Sequence, residues 1–176
     1  MKWDSGDAKT MGTASNSAIV AIGAVKFSSK GVSDDDFYCI IDLNTSMKAG
    51  GVLNPSTIIW WMQQSEEARK QLYRKDTESL FNGLKRFSQW VGDKTTAKMW
   101  GNGAAFDNII LANAYDSVNL ERPWNFYNDR CYRTVKNLLG GNIKYVPPVV
   151  AHNAVEDAKA QAVHLVKILQ AIGGGG

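Results

Sequence analysis

The sequence predicts a mixed α/β sheet with helices packed on both sides of it. Strand patterns cluster early in the chain and helical patterns alternate with short strands later, which is typical of such a sheet. The clearest strand is the nearly continuous apolar run over residues 18–27, because a strand covered on both faces is apolar throughout. Gly31 marks a turn, and residues 37–43 are predicted to be the antiparallel partner of that strand.

Residues 1–9 carry the weakest structural signal, since the Asp, Ser and Gly residues in this segment are poor strand formers. If the segment is a strand, Asp7 and Lys9 share one face, whereas Asp4 and Ala8 lie on the opposite face, which should be buried. Burying Asp4 would be costly without a partner. The local composition and the expected position therefore conflict.

Two helical segments are predicted to follow the hairpin. The first opens at Pro55, after Asn54, because proline is favoured in the first helical turn. Its apolar residues, at roughly helical spacing, are Ile58, Trp61, Met62, Ala68 and Leu72. The second begins at Thr77, and its apolar stripe consists of Leu80, Leu84, Phe87 and Val91. We assign the apolar stripes of both segments to the core.

Shorter elements are expected to complete the sheet. We predict strands at residues 98–100 and 124–127, and helices at residues 104–115 and 135–139. Pro147 and Pro148 then break the chain before the last helix. The buried side of that helix, which is expected to end near residue 172, is predicted to carry Val155, Ala158, Ala162, Leu165, Val166 and Leu169.

The composition is that of a folded globular protein. The chain has 176 residues, of which 44% are hydrophobic and 21% charged, and its net charge of +3 is compatible with a polyanionic partner.

Cys39 and Cys131 lack metal-ligand spacing and are expected to be reduced thiols. Because the sequence shows neither an 18-residue apolar run nor a signal-peptide pattern, we expect no membrane association and a cytoplasmic location. We expect one domain over residues 1–172 and a glycine tail at 173–176.

The clearest chemical pattern lies at the start of the last helix. His152 and Asp157 are five residues apart, and Asn153 with Glu156 has the capping-box spacing that begins a helix. A carboxylate at the positive end of a helix dipole, beside a neutral imidazole, is well placed to hold a cation. An ordinary capped helix with a surface histidine is the alternative. Asp107 has a comparable setting, because a glycine turn after a short strand leads into its helix.

A set of carboxylates of this kind suits phosphodiester hydrolysis. Two metal ions about 4 Å apart can clamp the attacking and leaving oxygens of a phosphodiester, and a histidine of ordinary pKa can deprotonate the attacking water. Asp7, Asp107 and Asp157, with His152, would supply this chemistry if the fold brings them together.

On these motifs the chain resembles the DEDDh 3′–5′ exonucleases, the DnaQ-like group within the ribonuclease H-like fold. Their motifs are Asp-x-Glu, a central Asp and His-x-x-x-x-Asp, which match residues 7–12, Asp107 and residues 152–157. The resemblance covers nearly all of residues 7–172. It is closest to a compact bacterial and phage exoribonuclease-like branch, through the segments 18–24, 59–65 and 128–134.

The resemblance implies a metal-dependent 3′–5′ exonuclease that releases nucleoside monophosphates from RNA or single-stranded DNA ends. Asp7, Asp107 and Asp157 would be ligands of Mg²⁺ or Mn²⁺ in a two-metal site, and His152 the general base. The family also implies a homodimer. The residues matching the segment that cradles the terminal nucleotide are Thr10, Met11 and Gly12, for which a simple turn after a strand is the alternative.

Lys9 departs from the family pattern, because it stands where the second acid of the first motif is expected. A protonated lysine has no lone pair for a metal, and replacing glutamate by lysine adds two positive charges to a site that collects cations. We therefore expect impaired two-metal catalysis. A nucleic-acid-binding module that has lost turnover is the alternative function, and an interaction protein that uses neither ligand is a more remote third.

Other polar and aromatic residues have both structural and functional interpretations. Trp60 and Trp61 could stack on unpaired bases, but adjacent helix positions face different ways, so one of them is expected in the core. Trp61 is our candidate for substrate binding, as is Asn102, which a turn alone would also explain. Arg133 and its neighbour Arg130 could contact phosphates or pair with surface acids. His164 is expected to be a helix-surface residue rather than a ligand.

Overall fold

A mixed sheet forms the centre of the computed structural model, which describes residues 3–70, 72, 74–139, 141, 143–148 and 152–173 and the side chains of all of these except Trp3. The strands are β1 Trp3–Thr10, β2 Ile19–Ser28, β3 Gly31–Ile40, β4 Met99–Gly101 and β5 Asp129–Cys131. Their order in the sheet is β3-β2-β1-β4-β5. β1 pairs with β2 antiparallel and with β4 parallel, so it lies at the centre of the sheet.

Helices cover both faces of this sheet, as predicted. They are α1 Leu43–Lys48, α2 Pro55–Met62, α3 Glu66–Lys70, α4 Leu80–Val91, α5 Ile109–Ser117, α6 Tyr132–Leu139 and α7 Ala154–Gly173. On one face, α4 and α5 pack against β1, β2, β3 and β4. On the other face, α6 and α7 pack against residues of β2 and β4. Among the described residues no helix combines the length and apolar character needed to cross a membrane.

β1 is a central strand despite its weak strand propensity. Its backbone pairs on both edges, and this non-local pairing outweighs the local preference of its Asp, Ser and Gly residues. Ala8 packs in the core beneath α4 and α5, whereas Asp7 and Lys9 face α7. Asp4 is buried, as expected for that face.

Several element boundaries differ from the prediction. β3 begins at Gly31 instead of residue 37, because its polar residues pair with the end of β2. The strand expected at 124–127 is instead a 3₁₀ turn, Phe126–Asn128, and β5 follows it. The second predicted helix begins at Leu80 instead of Thr77, because Ser79 Oγ accepts a hydrogen bond from the Asn82 amide. Its predicted apolar stripe is buried throughout.

The helical segment after Pro55 was predicted as continuous but consists of α2 and α3. Asn54 caps α2, since its Oδ1 accepts from the amides of Ser56 and Thr57. Ile58 and Met62 are exposed, although their spacing predicts buried side chains. In α2 the buried residue is Trp61. The last helix extends through Gly173, one residue into the expected glycine tail, and residues 174–176 lie outside the described part.

A glycine sets the distance between β2 and the start of α7. A Cβ at Gly23 would overlap the backbone of Ala154 and Val155. Gly23 pairs with Asp7 across the β1–β2 ladder, so the first turn of α7 lies close to that acid. This close approach brings the His152–Asp157 segment to the centre of the sheet.

We predict that Gly23→Ala lowers the free energy of unfolding by about 1–3 kcal/mol, the usual cost of overpacking a core. Urea denaturation measures the change. Gly6→Ala in the neighbouring strand is the matched control, because its Cβ would meet only Met99 Sδ, at 3.4 Å. Equal losses of stability in the two variants would contradict the role assigned to Gly23.

Candidate active site

A cavity of about 720 Å³ lies where β1 and β4 end, beside the first turn of α7. Its walls come from β1, α2, the turn after β4 and the start of α7. The lining residues are Asp7, Ala8, Lys9, Thr10, Gly12, Thr13, Ser56, Thr57, Trp60, Trp61, Asn102, Phe106, Asp107, Arg133, Tyr145, His152, Asp157 and Gln161.

The cavity brings together eight of the nine site residues named from the sequence. The exception is Met11, whose side chain packs with Ala18 and Val20 in the core instead of lining the cavity. Its backbone still belongs to the turn at the end of β1, where the carbonyl of Met11 accepts from the Asn54 amide. Thr10 Oγ1 donates to the carbonyl of Gly12 and closes this turn. The functional roles of these residues stay predictions.

Lys9 joins two of the acids. Its Nζ lies 2.5 Å from Asp157 Oδ2, and 3.3 Å and 3.2 Å from Asp7 Oδ1 and Oδ2. The Lys9 side chain is 14% exposed, so these ion pairs are largely shielded from water. The lysine that replaces the expected glutamate therefore lies directly between acids of β1 and α7.

The buried charges shift the pKa values of both Asp7 and Lys9 upward. Burial raises the pKa of Asp7. The Lys9 ammonium lowers this pKa, and the nearby Asp157 carboxylate raises it further, so that the net shift is upward. For Lys9, burial alone would lower the pKa, but the attraction of Asp7 and Asp157 outweighs burial and the pKa rises. Lys9 is therefore held as an ammonium ion.

Asp107 is held by backbone amides rather than by a cation. Its Oδ2 accepts from the Gly103 amide at 3.0 Å, and its Oδ1 lies 3.4 Å from the Ala8 amide. It lies on a π-helical turn, Ala104–Asn108, that precedes α5. A Cβ at Gly101 would collide with Asn108 and Asp107, so a glycine is needed where β4 meets this turn.

His152 lies in the left-handed region of backbone conformation, with φ of 66°. Its ring meets Trp60 edge to face, with ring centroids 4.9 Å apart. Asn153 caps α7 as predicted, because its Oδ1 accepts from the amides of Val155 and Glu156. The cap and the aromatic contact together fix the imidazole beside the cavity.

The two adjacent tryptophans have different surroundings. Trp61 is 4% exposed, and its indole N–H donates to the carbonyl of Thr10 at 3.1 Å. Trp60 is 41% exposed and lines the same cavity. Trp61 is therefore the core residue of the pair, and Trp60 is the tryptophan available to a ligand.

Gln161 is a cavity residue that the sequence interpretation missed. Its Nε2 donates to Asp7 Oδ2 at 3.3 Å, and its Oε1 has no hydrogen-bond partner among the described residues. It follows Asp157 by four residues, so it lies on the same face of α7. The four-residue spacing from Asp157 was the sequence feature that could have identified Gln161 as a cavity residue.

His164 is buried, so the expectation of a helix-surface residue was wrong. Its Nε2 donates to the carbonyl of Ile143, and its Nδ1 accepts from the Tyr132 hydroxyl. Tyr145 packs against its ring and lines the cavity. His164 thus anchors the loop that carries Tyr145, and the sequence could not show this because both hydrogen-bond partners are distant in the chain.

Residues 6–169 match the family described as the 3′–5′ exoribonuclease Rv2179c-like domain. The chain belongs to this family. Members of the family and the structural neighbours are exonucleases, which are hydrolases that act on phosphodiester bonds. The resemblance to the DEDDh exonucleases is therefore confirmed.

Individual relatives agree with this assignment. An exodeoxyribonuclease of Enterobacteria phage T4 is 28% identical over 155 residues, with 73% of this chain and 67% of the relative covered. Exonuclease X in complex with 5′ overhanging duplex DNA has a TM-score of 0.63 and 16% identity, covering 97% of this chain and 93% of the other. The nuclease domain of 3'hExo, a DEDDh family member bound to rAMP, has a TM-score of 0.59 and 17% identity, covering 97% and 92%. These structures share the ribonuclease H-like α/β fold with this chain.

DEDDh exonucleases generally use divalent metal ions, and three carboxylates offer the oxygen ligands that Mg²⁺ and Mn²⁺ prefer. Here, however, Lys9 Nζ contacts both Asp7 and Asp157, and Asp107 is turned to backbone amides. No group of three or more His, Cys, Asp or Glu side chains in the described residues has the arrangement of a metal site. The residues present therefore do not fit the two-metal centre.

We predict a pH dependence of stability that comes from Asp107. Burial, and then repulsion from Asp7, raise the pKa of Asp107 from its ordinary 3.8 to about 7. Because an acid with a raised folded-state pKa disfavours folding once it ionises, its contribution to stability is lost as pH rises from about 4 to about 7. The melting temperature of Asp107→Asn should therefore fall less over this range than that of the native chain.

The exposed acid Asp116 on α5 gives the control, since Asp116→Asn makes the same chemical change outside the cavity. Asp107→Asn also loses one acceptor for its two backbone amides, so the comparison uses the slope with pH rather than the absolute melting temperature. Identical slopes for Asp107→Asn and the native chain would contradict the assignment.

Proposed function

We propose that this chain is a 3′–5′ exonuclease-type protein that binds the 3′-terminal nucleotide of RNA or single-stranded DNA and whose hydrolysis is strongly reduced by Lys9. The product of hydrolysis would be a nucleoside monophosphate. The observation that carries the proposal is the convergence of Asp7, Asp107, Asp157 and His152 around one cavity. Membership of an exoribonuclease family supports the reaction type.

The roles follow from the chemistry of each side chain. His152 would accept a proton from the attacking water, since a neutral imidazole is a suitable general base. With an acid at position 9, the carboxylates would suit Mg²⁺ or Mn²⁺, and such ions stabilise the charge on attacking and leaving oxygens. With Lys9 present, that place holds an ammonium group, so hydrolysis should be slow.

Binding of the terminal base would use residues other than those assigned to turnover. Trp60 and Phe106 offer aromatic faces to a terminal base, and such stacking tolerates any base. Asn102 and the turn at Thr10–Gly12 offer polar groups beside them. Asn102 is held in place because its carbonyl accepts from the Arg133 amide.

A binding module that has lost turnover is the second candidate function. The contact of Lys9 with both Asp7 and Asp157 favours it, because a lysine ammonium cannot act as a metal ligand. The two candidates share the substrate and differ only in whether any hydrolysis remains.

The organisation of the protein around this site is also a proposal. We propose one exonuclease-like domain over residues 1–172, a homodimer, and a cytoplasmic location. Size-exclusion chromatography with light scattering tests the dimer directly.

We predict that Lys9→Glu increases the release of mononucleotides from a single-stranded oligonucleotide in Mn²⁺ by at least about tenfold, the lower range of effects seen when the surroundings of a metal site are changed. Adding His152→Ala to that variant should then reduce the rate by about 100-fold or more, because general-base catalysis contributes that much. Thin-layer or liquid chromatography of the products measures both rates.

Lys26→Glu is the control for the change of charge, because Lys26 pairs with Asp35 on the surface outside the cavity. It should leave the rate unchanged. Equal rates for the native chain and Lys9→Glu would refute the impairment by Lys9. No hydrolysis by Lys9→Glu under any divalent ion would refute the exonuclease proposal.

We also predict that Trp60→Ala weakens binding of a single-stranded oligonucleotide by about 5- to 150-fold, the range for loss of one base–aromatic stack. Fluorescence anisotropy of a labelled oligonucleotide measures this. Ile59→Ala is the matched control, since Ile59 is exposed on the same helix but does not line the cavity. Equal effects of the two substitutions would show that the stack does not form.

A further inference from the structure

The Lys9 ion pairs lie in the cavity wall between Asp7 and Asp157, two acids that the family resemblance implies as metal ligands. The two acids come from β1 and α7, and one ammonium nitrogen lies within 3.3 Å of both. The ammonium group has three N–H donors, and its contacts with the two Asp7 oxygens, at 3.3 Å and 3.2 Å, are longer than its 2.5 Å contact with Asp157. The donors directed at Asp7 are therefore the ones that a phosphate oxygen would compete for. Lys9 therefore has the charge and the donors to contact an anionic ligand in the cavity.

The other acid of the cavity is also compensated without a metal ion. Asp107 accepts from the amides of Gly103 and Ala8, so it does not require a cation to be held in place. The guanidinium of Arg133 is a second cation that lines the same cavity. Lys9 and Arg133 carry two positive charges beside Asp7 and Asp157, which reduces the repulsion that a phosphate would meet in the cavity.

A polar acceptor without a partner lies beside the Lys9 pair. Gln161 is buried and donates to Asp7, and its Oε1 has no hydrogen-bond partner among the described residues. A buried acceptor of this kind is costly unless a ligand or water donates to it. A ribose hydroxyl is one such donor, so Gln161 Oε1 suits a nucleotide that is bound next to Lys9.

We propose that Lys9 replaces the divalent cation in this chain, so that the cavity binds a nucleoside 5′-monophosphate unit without a metal ion. The unit is either a free nucleotide or the last nucleotide of a strand. This inference rests on the binding half of the proposed function and adds the means of recognition. The phosphate is contacted by Lys9 and Arg133, and the base lies near Trp60.

Calorimetric titration with adenosine 5′-monophosphate, in EDTA and then in Mn²⁺, tests the proposal. The native chain should bind with affinities that agree within about twofold in the two buffers, because Lys9 supplies the cation in both. Adenosine, which lacks the phosphate, should bind at least about tenfold more weakly. A short single-stranded oligonucleotide in the same buffers shows whether the unit is preferred free or at the end of a strand.

Substitutions at position 9 decide whether this lysine is responsible. Lys9→Met should weaken nucleotide binding in EDTA by at least about tenfold, and Lys9→Glu should bind the nucleotide only when Mn²⁺ is added. Lys26→Met is the matched control, since Lys26 is also paired with an acid but lies outside the cavity. If Lys9→Met does not fold, Lys9→Arg provides the test, because it keeps the cation and should bind in EDTA.

Three results would overturn the proposal. They are nucleotide binding by the native chain that needs Mn²⁺, full binding in EDTA by Lys9→Met or Lys9→Glu, and no nucleotide binding by the native chain in either buffer. The hydrolysis assay tests the proposed function independently of these binding results. If Lys9→Glu does not cleave while the native chain binds the nucleotide in EDTA, the exonuclease proposal is refuted and this inference stands.

Discussion

The contact of Lys9 with Asp7 and Asp157 links the first strand of the chain to its last helix at the cavity. Without a cation between them, two carboxylates this close would repel each other, and one would be forced to take up a proton. A buried ion pair adds little net stability, but losing one partner is costly because the other charge is left unpaired. The lysine therefore matters mainly by allowing the two acids to remain together.

Each acid of the cavity has a compensating group supplied by the chain itself. Asp7 has Lys9 and Gln161, Asp157 has Lys9, and Asp107 has two backbone amides. In a site built for metal ions, repulsion among the acids is relieved when the ions bind. Here Lys9 relieves part of the repulsion between Asp7 and Asp157 without a metal ion.

Structural features that depend on adjacent residues could be predicted from the sequence, and features that depend on contacts between residues far apart in the chain could not. The apolar run of β2, the stripe of α4 and the capped start of α7 follow from adjacent residues, and motif spacing pointed to Asp107, His152 and Asp157. β1 contradicted its own propensity because its neighbours on both sides decide its structure. The aromatic residues before β5 suggested a strand that does not form, since strand propensity reflects packing rather than backbone preference. The lysine at the position of an expected acid could be read from the sequence, but the contact of Lys9 with both Asp7 and Asp157 required the fold.

Anomalous diffraction from crystals of the native chain and of Lys9→Glu, both soaked in Mn²⁺, tests the central claim most directly. The account predicts no manganese peak between Asp7 and Asp157 in the native chain, where the Lys9 nitrogen should lie within hydrogen-bonding distance of both acids. It predicts a peak there in Lys9→Glu. A manganese ion between the two acids of the native chain, with Lys9 turned away, would contradict the claim.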